Sequence, residues 1–500
     1  MSQATTDQAT KPRRNLSVWG ALGLSLGIVG PSLAMSGNGQ GTAAAVGKAV
    51  PLIFVLGGLC ILLISHGFIR LTQRYSQAGS AYALVGKTLG PRAGYFSGWG
   101  VMVTYLFFAI GNVGAIGSFV NAFLANAQNS AHPTQVPWLL SGGIGLALTG
   151  FMATREFRSV VRTLLIIEGI GVASMTILTL VIYLKGGNAG HGGMDFSTFS
   201  FKGQSFSGIM GAVVGALLSW GGFEGAAALG EETSDPKRNI PRALLTTVIG
   251  ASVLFILVMF AQSIGFGTDA AGVKAFTSSG NSLAALGHSY IGQWFSLVLS
   301  FTAIMSAFGC MLGSAGTAGR LLFAFSRDGV GPAAWGRLDK RGEPTSAMTA
   351  VIAVTLAISV VSFITGHPDM GLGGALSDYF YYSTIGAITL MVAYLMVELG
   401  TIRHILTERT ELMKEVIIPI VGSLLILVVF YYNVKSQTSW IAAPFVAFAV
   451  MVVGLLIGVA TPGIAEKVNA GLNRDLSEVE GKNLPASSGH GQSPFPTTEV

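Results

Sequence analysis

The stretch WGGFEGAAALGEETSDPKRNIPRA, residues 220–243, decides the reading of the fold. Its first half is apolar enough for lipid, yet it holds Gly221, Gly222 and the lone acid Glu224. It then passes into Glu231, Glu232, Asp235, Lys237 and Arg238 before Pro241 opens another apolar run. In hydrocarbon every backbone N–H and C=O must be satisfied, and a carboxylate is costly unless it faces protein or a watery cavity. Glycines beside an acid therefore mark a membrane helix that breaks against an interior. The charged, proline-bounded segment after them reads as a hinge leading out to water.

Outward from this stretch the apolar pattern fills the chain. Of 500 residues, 51% are hydrophobic and 10% charged, against about 25% charged in soluble domains. Apolar runs of about 20 residues, the length that crosses a bilayer, occur at 17–40, 50–70, 95–124, 137–154, 160–184, 207–230, 241–264, 289–322, 346–365, 376–400, 415–432 and 440–460. The third and eighth of these twelve are long enough to tilt or to extend past the bilayer. Strand-like alternation in pieces of about ten, the mark of a membrane barrel, is not the pattern here. The expected fold class is an all-α polytopic membrane protein of twelve transmembrane helices. The first span lacks a signal-peptide cleavage pattern and reads as a retained helix.

Basic residues set the orientation. With the N-terminus inside, one side takes Lys11, Arg13, Arg14, Arg70, Arg74, Arg155, Arg158, Lys237, Arg238, Arg327, Lys340 and Arg403 among others, and the opposite side only Lys48, Lys185, Lys202, Lys274 and Lys435. Both termini are therefore expected in the cytoplasm, in a plasma membrane, with a bacterial inner membrane as the setting inferred. The formal charge of +6 is a topology signal; nucleic-acid binding would want a concentrated basic face. Cys60 and Cys310 fall within spans and read as small apolar packers. No Walker, zinc-ligand or dinucleotide motif occurs, which argues against ATP-driven transport or a cofactor enzyme, so no cofactor and no metal are expected. The polar ends, 1–15 and 461–500, read as flexible cytoplasmic tails.

The first span reads LSVWGALGLSLGIVGPSLAMSG, with Gly27, Gly30 and Pro31 at its middle. Proline removes a donor and clashes with the preceding turn, and glycine makes unwinding inexpensive. The sixth span repeats this with Gly221, Gly222 and Gly225 after Trp220. Interrupted spans at corresponding positions of two halves point to a transporter's midplane site. Half-helix N-termini offer amides to an anion and the opposing ends offer carbonyls to a cation, an arrangement that suits a zwitterion. Simple close packing of glycines is the competing reading.

At this point three stretches identify a resemblance. The quoted segment is similar to the sixth-helix signature of the amino acid–polyamine–organocation transporter superfamily. YSQAGSAYALVGKTLGPRAGYFSGW, 75–99, resembles its polar loop into helix three, and GRLLFAFSRDGVGPAAWGRLDKRGEPTSA, 319–347, its segment entering helix nine. The resemblance covers about residues 15–460. It implies a transporter domain at 16–460 with a 5+5 inverted repeat (16–184 and 207–400), helices 1 and 6 discontinuous, and peripheral helices 11 and 12 at 415–460. It further implies a substrate carboxylate on amides around Gly30, Ser32 and Leu33, and an ammonium on carbonyls near Gly27, Ile28, Trp220 and Gly221, with Gly222 in the break. Pro31-Ser32 departs from the serine-glycine pair of many relatives and subtracts a donor, which weighs against generic amino-acid binding.

Single residues complete the expected site. Glu168, ten residues into the fifth span, suits proton coupling or a structural hydrogen-bond hub. Glu224 is expected to lock the break, Glu231 and Arg238 to take part in gating or simple capping, and Trp220 and Phe223 to cap the cavity or merely pack. Asn112 is a further lining residue, while Ser306, Ser314 and Thr317 are weak sodium-site candidates. The function expected is secondary active transport of an amino acid, a small-molecule substrate moved with protons across the lipid bilayer. The alternatives are an amine or polyamine transporter or an exchanger, then a potassium carrier or a non-transporting sensor. The scattered histidines argue against a membrane enzyme.

Overall fold

The computed structural model describes residues 29–75, 81–128, 132–153, 158–225, 235–339, 342–408, 413–435, 437, 439 and 441–481. They form α1 (Pro31–Val46), α2 (Val50–Arg74), α3 (Ala81–Thr88), α4 (Pro91–Gln128), α5 (Trp138–Ala153), α6 (Arg158–Leu184), α7 (Phe206–Leu217), α8 (Pro236–Phe266), α9 (Ala270–Ser278), α10 (Ser282–Tyr290), α11 (Gln293–Arg327), α12 (Thr345–Thr365), α13 (Gly374–Glu408), α14 (Ile417–Lys435), α15 (Ala443–Ala460) and α16 (Ile464–Gly481). Among the described residues, 10 helical segments are long and apolar enough to cross a membrane, and Trp138–Met152 adds a shorter one. The protein is thus all-α and multi-pass. One of the 10 segments, Pro31–Arg74, takes in both α1 and α2, which a turn at Gly47 separates.

The apolar windows differ in how much protein surrounds them. That of α4 is 89% buried and that of α15 only 28%, so α4 is a central post and α15 faces lipid. α4 packs along α13 and α11, and α2 along α8. At 38 residues α4 is about 57 Å long, well beyond the ~30 Å hydrocarbon core. α14 and α15 turn Leu424, Leu427, Val452 and Val459 outward, at no cost where the solvent is lipid.

α1 is enclosed from Pro31 to Gln40. Its outer half is held by α8 and the short helices after it. Gln262 Nε2 donates to the Met35 carbonyl at 2.9 Å, Ser282 Oγ to the Ser36 carbonyl at 3.1 Å, and Gln40 Nε2 to the Ser279 carbonyl at 3.2 Å. Asp269 and Asn281 cap α9 and α10 by accepting from Gly272 and Ala284. Two differences from the sequence reading concern the ends. Residues 270–290, between two expected spans, fold into α9 and α10, whose caps supply the needed start signals. Residues 464–481, placed in a flexible tail, form α16, because Ile464, Val468 and Leu472 recur at helical spacing and are buried.

Candidate functional site

Helix 1 does break. Helical Val29 is followed by Gly30 in the left-handed region, φ 59°, and α1 then starts on Pro31. Proline at the first helical position loses nothing, since that N–H has no partner within the helix anyway. Gly30 is doubly required, by its φ and because a Cβ there would collide with the Cys310 sulfur and lie 3.2 Å from Ser306 Oγ. The amides freed by the break are taken up by protein. Ser32 N donates to Glu168 Oε1 at 2.7 Å, Leu33 N to Ser306 Oγ at 3.1 Å, and Ala34 N to the Gly30 carbonyl at 2.9 Å. Ser32 and Glu168 lie 136 positions apart. α6 comes this close because Gly171, one turn past Glu168, leaves no side chain between itself and Ser32. A carboxylate at a helix N-terminus is favoured by the orphan amides and the dipole. Here the carboxylate belongs to the protein, and the Ser32 and Leu33 amides, expected to hold a substrate carboxylate, are occupied.

The chain leaves helical geometry again after α7. α7 ends in a tight turn over Leu218–Trp220, and Gly221 and Gly222 follow in non-helical conformations, Gly222 with φ 97°. In this arrangement the two aromatics flanking the glycines pack away from the central space, as the packing alternative of the sequence reading has it. Trp220 is fully buried against Phe54 and Phe255, at centroid distances of 5.8 and 5.3 Å, and donates to Ser252 Oγ at 3.2 Å. Phe223 packs edge-on to Phe68 and Tyr394. Both rings fill the layer between the break and α2, α8 and α13. Glu224 accepts from Tyr105 OH at 2.9 Å and Tyr394 OH at 2.7 Å. It ties the broken helix to α4 and α13.

A space of about 30 Å³ lies between the two breaks, lined by Val29, Leu33, Tyr105, Asn112, Gly221 and Ser314 together with Asn38, Tyr379 and Ser383. That is room for a single water, so the walls must part to admit any organic solute. Of the expected binding residues, Leu33, Asn112 and Gly221 line it; Gly30, Ser32 and Gly222 shape the breaks beside it; Trp220 and Phe223 turn away. Asn112 donates to its own helix at the Phe108 carbonyl, and its buried Oδ1 has no partner among the described residues. Of the sodium candidates, Ser314 reaches the space, Ser306 serves the Leu33 amide, and the Thr317 hydroxyl is spent on the Gly313 carbonyl of its own helix. Gly27, Ile28 and Glu231 lie outside the described residues. Arg238 is exposed, 3.7 Å from Asp235 at the start of α8.

Asn38 went unread in the sequence, although an asparagine in the apolar half of span one is a signal of its own. Its Nδ2 donates to Ser219 Oγ and its Oδ1 accepts from Tyr379 OH, both at 2.7 Å. This layer joins α1, the helix 6 break and α13. One turn further along α1, Gly41 and Thr42 line a wider cavity of about 1020 Å³ shared with Phe380, Tyr382 and Asn433, and the Asn38 layer stands between the two spaces. Tyr105 and Tyr394 were equally unmarked. An aromatic in a membrane helix gives no hint that its hydroxyl meets an acid on another helix.

The pattern of the amino acid permease family matches residues 18–460. The low-affinity putrescine importer PlaP of Escherichia coli is 26% identical over 390 residues, covering 75% of this chain and 79% of that protein. The branched-chain amino acid permease BcaP of Lactococcus lactis is 23% identical, covering 76% and 79%. The gamma-aminobutyric acid permease of Escherichia coli is 24% identical, covering 78% of each. The matched region takes in both breaks, Glu168 and Glu224, so the chain belongs to the amino acid permease family, within the amino acid–polyamine–organocation superfamily of non-catalytic secondary transporters.

Proposed function

We propose that this transporter of small organic solutes carries an organic amine without a carboxylate, such as a diamine, rather than an amino acid. The observation that carries the reading is the Ser32–Glu168 bond of 2.7 Å. A substrate carboxylate seeking the α1 amides would meet a missing donor at Pro31, a protein carboxylate at Ser32 and a hydroxyl already at Leu33. An ammonium group meets the reverse. The central space offers the unpartnered Oδ1 of Asn112 and the hydroxyls of Ser314 and Ser383, with Glu168 and Glu224 one layer behind. The low-affinity putrescine importer among the relatives agrees with this.

The architecture proposed is the twelve-helix, 5+5 inverted repeat, with α1 and α7 as the post-break and pre-break halves of helices 1 and 6. Both termini are placed in the cytoplasm by the basic residues, in a bacterial inner membrane, and a proton gradient is the proposed drive. Closure of the Asn38 layer on one side and of the Tyr105–Glu224–Tyr394 lock on the other would alternate access. A second reading, an amino acid substrate, is favoured by the branched-chain and gamma-aminobutyric acid permeases among the relatives; it requires Glu168 to release the Ser32 amide. The test is uptake into proteoliposomes of labelled diamines and amino acids, with and without an inward proton gradient. Accumulation of a diamine while its carboxylated counterpart stays outside supports the reading, and the opposite preference refutes it.

A further inference from the structure

Among the described residues the least exposed acid is Glu398. Glu398 of α13 has no solvent exposure, and neither of its oxygens is met by a side-chain donor among the described residues; the backbone of Gly67 is the group that lies against it. It lies in the seam of α2, α13 and α14, where two glycines make room for it. A Cβ on Gly67 would sit 2.6 Å from Oε1, and one on Gly422 would sit 3.9 Å from Cδ. Glu168 and Glu224 differ in kind, because each is met by donors, Ser32 N for the first and two tyrosines for the second. An ionised carboxylate with no side-chain donor and no cation beside it is the costly form in such a place, and a bound proton removes the charge.

This acid lies one helical turn from a residue that reaches towards the central space. Tyr394 lies four residues earlier on the same face of α13 and donates to Glu224, which also holds Tyr105 on the wall of the space. In the other direction the seam runs towards the basic ends of α2 and α13. One turn past Gly67, Arg70 pairs with Glu415 just before α14. The other titratable groups around the seam are Cys60, within electrostatic reach on α2, and His66, whose buried Nε2 has no partner among the described residues. Ser423 of α14 adds a buried hydroxyl likewise without one.

We propose that Glu398 is the proton-binding site that couples solute movement to a proton gradient. The inference rests on the transport reading above and adds to it the residue that carries the proton. The proton arrives from the solute cavity along Tyr105, Glu224 and Tyr394, resides on the Glu398 carboxyl, and leaves to water at the basic end when the α2–α13–α14 seam opens. Each passage adds one proton to the acid and returns one to water, and nothing else is consumed.

The experiment uses the full chain in proteoliposomes and whichever member of a diamine and amino-acid panel the wild type exchanges. Glu398→Gln keeps the size of the side chain and cannot cycle a proton. It should retain counterflow, which needs no gradient, while losing both gradient-driven accumulation and the solute-induced proton flux read by an entrapped pH dye. Accumulation and proton flux at wild-type level in this variant would overturn the assignment. Should the variant fail to fold, or the wild type exchange no member of the panel, labelling of the wild type decides. Dicyclohexylcarbodiimide modifies protonated carboxyls in apolar surroundings, and peptide mass mapping should find the adduct on Glu398, decreasing as pH is raised. Absence of an adduct there would sink the proposal. A labelled Glu398 in a chain that moves no amine would leave the proton site standing and remove the amine reading alone.

Discussion

Replacing Glu168 by alanine should convert the selectivity of the central site. The carboxylate stands 2.7 Å from Ser32 N, so a substrate carboxylate reaching for the same amide would approach it to about 4 Å. Like charges at that distance repel by about 4 kcal/mol at an effective dielectric of about 20, which corresponds to roughly a thousandfold in affinity. The wild type should therefore prefer putrescine over ornithine, its α-carboxylated counterpart. In Glu168→Ala the repulsion goes and the Ser32 amide becomes available to the ligand. The preference should then shift towards ornithine by at least about 100-fold, with part of the repulsion reserved for solvent screening. Glu168→Gln should fall between, since its amide oxygen still accepts from Ser32 while the charge is gone. The assay is competition of the two ligands against a bound labelled diamine at neutral pH, on purified protein whose folding is checked by its melting temperature. A folded Glu168→Ala variant whose selectivity moves by less than roughly threefold would refute the reasoning, because the α1 amides would then have no part in choosing the substrate.

Other expectations follow from the same contacts. Tyr105→Phe and Tyr394→Phe each remove a hydrogen bond to the Glu224 carboxylate, worth about 1.5–3 kcal/mol; a double-mutant cycle on unfolding should show coupling, and strict additivity would argue against a shared lock. Trp220→Phe should lower the melting temperature by loosening its contacts with Phe54 and Phe255 and leave ligand affinity unchanged, whereas a ring that gates the site would raise KM. Gly30→Ala combines a left-handed backbone cost of about 1–2 kcal/mol with a collision against Cys310. Adding Cys310→Ala should recover the steric part of the lost stability only, and full recovery would show that φ is not the constraint. Outside the membrane spans, hydrogen bonds from Ser197 and then Lys48 hold Asp195 well below the usual carboxylate range. Its contribution is complete above the ordinary value of about 4 and is lost as pH falls towards the depressed value. The pair is partly exposed and so contributes about 1 kcal/mol or less. Melting temperatures recorded between neutral and acid pH should show a steeper acid decline for the wild type than for Asp195→Asn; parallel curves would remove the pair from the account.

That the chain is all-α and multi-pass, and that it leaves helical geometry at Gly30 and at Gly221-Gly222, could be read directly from the sequence. A long apolar run has no alternative in lipid to satisfying its own backbone, and Gly30-Pro31 and Gly221-Gly222 act on the chain locally. What the breaks are used for could not be read there. Membrane helices such as α1, α4 and α13 are apolar on every side, so no amphipathic stripe shows which residue faces a neighbour, and a rotation of about 100° per residue separates a gate from a core ring. That is why the sequence leaves Trp220 and Phe223 open between capping and packing, and why Asn38, Tyr105, Tyr394 and Glu398 carry no sign in it of the contacts they make. Glu168 shows the division most clearly. Its place in an apolar span announced a polar interior, but its hold on the Ser32 amide exists only because α6 and α1 meet at Gly171. The sequence by itself determined that this chain crosses the membrane repeatedly and where its helices must open. The tertiary structure alone decided which carboxylate fills the opening, because that depends on the approach and rotation of helices far apart in the chain.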